Sequence, residues 1–176
     1  MHQALVLIIL DEICTKFPSE DYFVEKCLQL TKEEWQEWKE GKKVLNQEAM
    51  QRIKGLFTDY EWMLMQKVAE QTMFFPEKQY YVVQQFRRLK AMIAKKWIET
   101  PYSTTELITK TVHSGIQDIV TLKISLSYGE WGYDDILTFS MPAYISKKIE
   151  CSSKGLLEWV NRDLEDTYVE QTKIEE

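Results

Sequence analysis

The feature of this sequence that most constrains its fold is region 19–57, where three helix-like segments are separated by two short breaks. Each segment places apolar side chains at helical spacing, which gives a helix one face for the core. These side chains are Phe23, Val24, Cys27 and Leu28, then Trp35 and Trp38, then Ala49, Met50, Ile53, Leu56 and Phe57. The breaks fall at Leu30-Thr31 and at 41–43. The pattern predicts a helix, a tight turn and a second helix.

Capping residues and helix breakers divide residues 1–74 into five predicted helices. The first runs from about Gln3 to Lys16 and ends before Pro18, which cannot continue it. Thr31, with Glu34 three residues later, fits a capping box. The predicted helix caps are Ser19, Thr31, Asn46, and Thr58 or Asp59. Five short helices in this length are typical of a compact helical DNA-binding domain.

Pro76 marks the junction to a second predicted domain, residues 75–176. A long helix is expected from about Glu77 to Ile98. Its apolar stripe is predicted to be Tyr81, Val82, Phe86, Leu89, Ile93 and Trp97. Its other faces are predicted to carry Arg87, Arg88, Lys90, Lys95 and Lys96. These basic residues fit either a solvated face or a surface that touches phosphate or an acidic protein.

Alternation of apolar and polar residues predicts an antiparallel sheet after residue 100. Strands are expected at 120–128 and 136–141, joined as a hairpin, with a third strand at 106–113. Ser152 or Ser153 is expected to cap a closing helix with Leu156, Leu157, Val160 and Leu164 on its inner face. The predicted fold class is therefore α+β. It joins a five-helix helix-turn-helix domain to a small antiparallel sheet with a long helix and a C-terminal helix.

The sequence carries no signature of catalysis, a cofactor or a metal site. His2 is terminal and His113 is isolated, and there is no glycine-rich phosphate loop. The three cysteines have neither zinc spacing nor a disulfide framework, and Cys14 and Cys27 are expected to be buried thiols in a reducing cytosol. The longest apolar run, 4–10, is too short to cross a bilayer and has no basic leader. We expect a protein that is not an enzyme and does not enter a membrane.

The charge of the second helix conflicts with DNA reading. In a DNA reader, the helix after the turn enters the major groove and offers Arg, Lys, Asn or Gln to base edges. Here the acidic side chains are Glu33, Glu34, Glu37 and Glu40, against Lys32 and Lys39. The whole chain has a net charge of −6, which also opposes phosphate attraction. The predicted helix-turn-helix indicates a nucleic-acid ligand, whereas the acidic charge of its second helix indicates a basic partner.

Segment 35–43, WQEWKEGKK, resembles the Cro/C1 repressor class, in which an aromatic-charged-charged-Gly turn follows the reading helix. The resemblance implies base-reading positions at Thr31, Lys32, Glu33 and Gln36. It implies phosphate contacts at Lys39, Lys42, Lys43 and Arg52. The chain departs from the class at Glu33, Glu34 and Glu37. A Cro/C1-like transcriptional regulator that binds DNA is therefore one alternative, and an interaction module on an inert scaffold is another.

The whole chain resembles a narrower family, the phage-encoded anti-CRISPR proteins that inhibit type II-A Cas9. The shared runs, in the same order, are 30–42 (LTKEEWQEWKEGK), 56–68 (LFTDYEWMLMQKV), the basic helix through Lys96-Trp97, and 155–166 (GLLEWVNRDLED). The resemblance implies a homodimer that binds Cas9, or the Cas9–guide RNA complex, in the cytoplasm of a bacterial host cell. An acidic chain suits that partner, because Cas9 is strongly basic.

Two surfaces are expected to bind the partner. The first is the helix-turn-helix face, made of Thr31, Lys32, Glu33, Gln36, Glu37, Lys39, Lys42 and Lys43. The second lies in the α+β domain and combines Arg87, Arg88, Lys95, Trp131 and Tyr133. Aromatic residues near turns are favoured as interface anchors, because they bury a large area for little loss of rotamer freedom.

Overall fold

A computed structural model describes residues 1–110 and 119–142, and in these ranges the protein is α+β. The helices are α1 (His2–Lys16), α2 (Glu20–Tyr22), a π-helical continuation (Phe23–Leu28), α3 (Lys32–Lys39), α4 (Gln47–Lys54), α5 (Asp59–Phe74), a 3-10 helix (Pro76–Tyr81) and α6 (Val82–Ile98). The strands are β1 (Ser103–Lys110), β2 (Ile119–Ser127) and β3 (Asp134–Pro142), with a 3-10 turn (Gly129–Trp131) between the last two. The chain forms two compact units, Met1–Phe86 and Arg87–Glu176. The domain boundary predicted after residue 74 stays a prediction.

The predicted caps begin four of the helices. Ser19 Oγ accepts the Tyr22 backbone N–H, and the Asn46 side chain accepts that of Ala49. Thr31 forms the predicted capping box with Glu34. Of the two candidates for the fifth helix, Thr58 is the cap, and it forms a second capping box with Glu61. Each cap satisfies backbone donors that would otherwise be left without partners at a helix start.

The core of the first unit is built on α1, which packs against α2 and α5. The buried side chains of α1 include Ile8, Ile9 and Ile13, and Met65 of α5 is fully buried. The π-helical segment packs against both α3 and α4, so it connects the short helices to one another. Burying an aliphatic side chain of this size stabilises the fold by about 1.5–3 kcal/mol.

The three strands form an antiparallel sheet in the order β1-β2-β3. Leu122 stands between Leu107 and Phe139, and Ile124 pairs with Leu137. The predicted alternation in β2 is confirmed at Val120, Leu122 and Ile124, which are fully buried. It fails towards the end of the strand, where Ser125 is buried and Tyr128 lies beyond β2 and is exposed. The sheet therefore has one apolar face, which centres on β2.

The long helix differs from its prediction in two respects. Residues 76–81 form a 3-10 helix, so the α-helical periodicity starts only at Val82, and Tyr81 is 63% exposed. Lys90 was expected on an outer face but is only 5% exposed, and its ammonium lies 5.0 Å from the centre of the Phe139 ring. The physical reason is spacing, because Lys90 falls four residues after the buried Phe86 and lies on the same stripe.

The prediction of two buried thiols is wrong. Cys14 is exposed and Cys27 is half-buried. Cys14 follows the fully buried Ile13 and is therefore turned about a quarter of the way round α1 from the core-facing stripe. Partial burial raises the pKa of the Cys27 thiol, and the positive charge of Arg52 opposes that rise.

Several predictions fall outside the described residues. They are the closing helix with Leu156, Leu157, Val160 and Leu164, the last residues of the third predicted strand, His113 and Cys151. Within the ranges that are described, no helix combines the length and apolar character that a membrane crossing needs.

Candidate functional site

The candidate site is the outer face of α3, and two tryptophans on the opposite side hold that helix in place. Trp35 and Trp38 are buried, and their rings stack with centres 4.6 Å apart. The Trp35 indole N–H also donates to Glu20 Oε1 at 2.5 Å. Because residues three apart share a helix face, this packing turns the remaining positions of α3 outward.

The turn before α3 is closed by backbone hydrogen bonds. Gln29 has φ +57° and is the one described residue other than glycine with a positive φ. The Leu30 backbone N–H donates to the Val24 carbonyl at 3.2 Å. A side chain in this left-handed region is sterically disfavoured, and glycine is the usual residue at such a position. The three residues 29–31 thus connect the π-helical segment to α3.

The end of α3 is a Schellman motif, in which a left-handed residue lets the following N–H groups cap the last carbonyls. Gly41 has φ +73°, and its N–H donates to the Trp38 carbonyl while that of Lys42 donates to the Glu37 carbonyl. His2 Nε2 lies 2.8 Å from the same Trp38 carbonyl oxygen. The N-terminus of the chain therefore supports the end of the candidate site, a contact for which the sequence held no signal.

The outer face of α3 is predominantly acidic. Its exposed side chains are Lys32, Glu33, Gln36, Glu37 and Glu40. Gln36 donates its amide N–H to Glu40 Oε1 at 2.8 Å, so this amide is already engaged within the helix. The structure thus brings most of the predicted helix-turn-helix site residues to one accessible surface.

Every lysine of this segment is paired with a carboxylate. The pairs, with their N–O distances, are Lys32–Asp21 at 2.7 Å, Lys39–Glu20 at 2.8 Å, Lys42–Glu40 at 2.5 Å and Lys43–Glu34 at 2.9 Å. Glu33 and Glu37 have no ion pair among the described residues. The lysines of the segment are therefore all ion-paired, whereas Glu33 and Glu37 interact with Lys32, Lys42 and Lys43 only through weaker charge attraction without an ion pair.

In the Lys43–Glu34 and Lys42–Glu40 pairs, the pKa of each partner is shifted in the direction that keeps it charged. The hydrogen bond from Lys43 is the main reason that the pKa of Glu34 is lowered. Lys42, by its hydrogen bond, lowers the pKa of Glu40. The Asp21 hydrogen bond raises the pKa of Lys32. The charged forms of Glu34, Glu40 and Lys32 are therefore favoured over their neutral forms.

Arg52, which the Cro/C1 resemblance implied as a phosphate contact, is engaged inside the protein. One guanidinium nitrogen donates to the Cys27 carbonyl at the end of the π-helical segment, and another pairs with Glu48 at 2.5 Å. The first contact holds α4 against the π-helical segment, whereas the second lies within α4. A phosphate would have to compete with them for Arg52.

The second predicted group of site residues lies on two elements. Arg87, Arg88 and Lys95 belong to α6, where Arg88 is exposed and the other two are half-buried. Trp131 and Tyr133 lie in the connection between β2 and β3, and both are exposed.

Sequence reasoning missed Glu20 and Asp21, which pair with lysines of α3 from another helix.

Comparisons with known proteins add no identification. No protein-family model, curated protein or solved structure matches this chain.

Along residues 1–110 and 119–142, no group of three His, Cys, Asp or Glu side chains is arranged to hold a metal ion.

Proposed function

We propose that this protein is a phage anti-CRISPR protein that inhibits a type II-A Cas9 by stoichiometric binding, and that the outer face of α3 is its docking surface. The observation that carries the proposal is the charge balance of that face. Four lysines are each paired with a carboxylate, and Glu33 and Glu37 point outward in addition. A surface of this kind attracts a basic macromolecule and repels phosphate.

The identity of the partner is supported by the resemblance of segments 30–42, 56–68 and 155–166 to the anti-CRISPR family. Cas9 holds nucleic acid in a positively charged channel, and carboxylates that face such a surface accelerate encounter and fix orientation. The same family resemblance supports a homodimer. Inhibition by binding requires no catalytic group, so the protein would act at a fixed ratio to Cas9 and would not turn over.

The experiment is a DNA-cleavage assay in which the full-length protein is titrated against type II-A Cas9–guide RNA complexes. Inhibition should saturate at a fixed ratio near one protomer per Cas9. Glu33→Lys with Glu37→Lys should weaken inhibition by about tenfold or more, since close interfacial charge pairs contribute ~1.5 kcal/mol or more each. Undiminished cutting across type II-A orthologues would contradict the proposal.

A matched control separates local charge from net charge. Glu70→Lys with Glu77→Lys changes the net charge by the same amount at two exposed positions on α5 and the 3-10 helix. This variant should inhibit nearly as well as the unmodified protein at physiological salt, because neither position lies on α3 and salt screens exposed charges outside an interface. Glu70 is paired with Lys67 at 3.1 Å, so the variant also breaks one exposed ion pair. Equal loss in the two variants would indicate that only overall charge matters.

A Cro/C1-like DNA-binding regulator is the second candidate. The observation in its favour is the order of a helix, the three-residue turn 29–31 and α3, with Thr31 and Gln36 exposed where bases would be read. A regulator should bind its own upstream DNA with an affinity that falls steeply as salt rises. Glu33→Lys with Glu37→Lys should strengthen DNA binding and weaken protein binding, so the same variant distinguishes the candidates. Absence of binding at low salt would exclude the regulator.

A further inference from the structure

A second candidate binding surface lies at one end of the sheet, where large aromatic side chains are exposed. Trp131 is 77% exposed and Tyr133 is 59% exposed, in the connection between β2 and β3. Tyr102, immediately before β1, is also exposed. Its carbonyl accepts the Ser127 backbone N–H at 3.0 Å, which places Tyr102 next to the end of β2. We call Tyr102, Tyr128, Trp131 and Tyr133 the aromatic end of the sheet.

The connection between the strands presents these rings in a defined arrangement. Gly129 and Gly132 both have positive φ values, and they are the first residue and the C-cap of the short 3-10 turn that carries Trp131. The rings of Tyr128 and Tyr133 lie 5.5 Å apart at an interplanar angle of 40°. The Tyr128 hydroxyl donates to Asp135 Oδ2 at 2.6 Å. The carboxylate of Asp135 is thereby held next to the tyrosine pair.

The aromatic end is also acidic. Glu130 and Asp134 are exposed and Asp135 is half-buried, and the sequence 124–142 contains no lysine or arginine. Ring faces carry partial negative charge, so rings and carboxylates attract the same kind of group. The complementary ligand is a cation that also has a flat surface to stack on a ring.

We propose that the aromatic end of the sheet binds arginine side chains of a basic segment on a partner protein. A guanidinium group stacks on an aromatic face and donates paired hydrogen bonds to a carboxylate, whereas a lysine ammonium offers only a point charge. A nucleic acid strand would also stack on these rings, but its phosphates would be repelled by Glu130, Asp134 and Asp135. This surface shares no residue with α3, and the proposal does not depend on the identity of the partner of α3.

The probe is a fluorescent peptide of alternating arginine and glycine, compared with the lysine–glycine peptide of equal length and charge. Anisotropy of each peptide is measured against the full-length protein. The arginine peptide should bind more tightly, and Trp131→Ala with Tyr133→Ala should weaken it by roughly two- to fivefold per ring while removing the preference over lysine. Trp131→Phe should retain most of the affinity.

Two controls locate the effect. Tyr80→Ala removes a more exposed ring from the other unit and should leave arginine-peptide binding unchanged. Glu33→Gln with Glu37→Gln should weaken the arginine and lysine peptides alike and leave their ratio intact. Equal binding of the two peptides would overturn the proposal. So would a ratio of arginine-peptide to lysine-peptide affinity that Trp131→Ala with Tyr133→Ala leaves unchanged. So would tighter binding of a single-stranded oligonucleotide through Trp131 and Tyr133, or concentration-dependent self-association through the same residues.

Discussion

The two candidate surfaces use the same residue type in opposite ways. At α3, Trp35 and Trp38 are buried and support a helix whose outer side chains are charged. Most of these side chains already form ion pairs. At the aromatic end of the sheet, Trp131 is itself the exposed surface. A partner would therefore meet α3 through long-range charge, which salt screens, and would meet the sheet through buried ring area, which salt affects much less.

The largest expected effect comes from removing a tryptophan that supports α3. Trp35→Ala should lower the free energy of unfolding by about 3–5 kcal/mol, because it leaves a cavity and removes the hydrogen bond to Glu20. Trp131→Ala should change the free energy of unfolding by no more than about 0.5 kcal/mol. Urea denaturation of both variants tests the pair. A similar decrease in the free energy of unfolding for the two variants would show that Trp131 also has a structural role.

The two regions also differ in how they fill left-handed backbone positions. Gln29 occupies such a position before α3, whereas Gly132 occupies one beside Trp131. Gln29→Gly should raise the free energy of unfolding by about 0.5–1 kcal/mol, and Gly132→Ala should lower it by about 1–2 kcal/mol. Opposite shifts in the urea midpoint, with the slope unchanged, are the expected result. Gln29→Ala is the control and should give no gain.

The smallest expected effect is the pH response of the α3 face. The pKa values of Glu34 and Glu40 are lowered in the folded protein, so the stability they contribute is present above the unfolded-state pKa of about 4.3 and is lost as pH falls through the folded values. The melting temperature of the unmodified protein should therefore approach that of Glu34→Gln with Glu40→Gln as pH falls from 6 to about 3. The ion-pair explanation would be contradicted if the difference in melting temperature between the two proteins stayed constant over this range. It would also be contradicted if that difference did not shrink in high salt at pH 6.

The helix starts and the strand alternation could be predicted because their signals are local. Ser19, Thr31 and Asn46 each cap a backbone N–H within three residues, and Val120, Leu122 and Ile124 of β2 are buried at every second position. The failures came where the pattern was ambiguous. Lys90 fits the buried stripe by spacing but not by residue type, and Tyr81 fits only if the helix is α-helical throughout.

The sequence alone determined the α+β class, the caps and the excess of carboxylates in and around α3. Only the tertiary structure decided which carboxylates form ion pairs, because Glu20 and Asp21 reach the lysines of α3 from a different helix. It also decided which tryptophans support a surface and which one forms it. Capping and periodicity act between residues three or four apart, whereas ion pairing and burial depend on residues that only packing brings together.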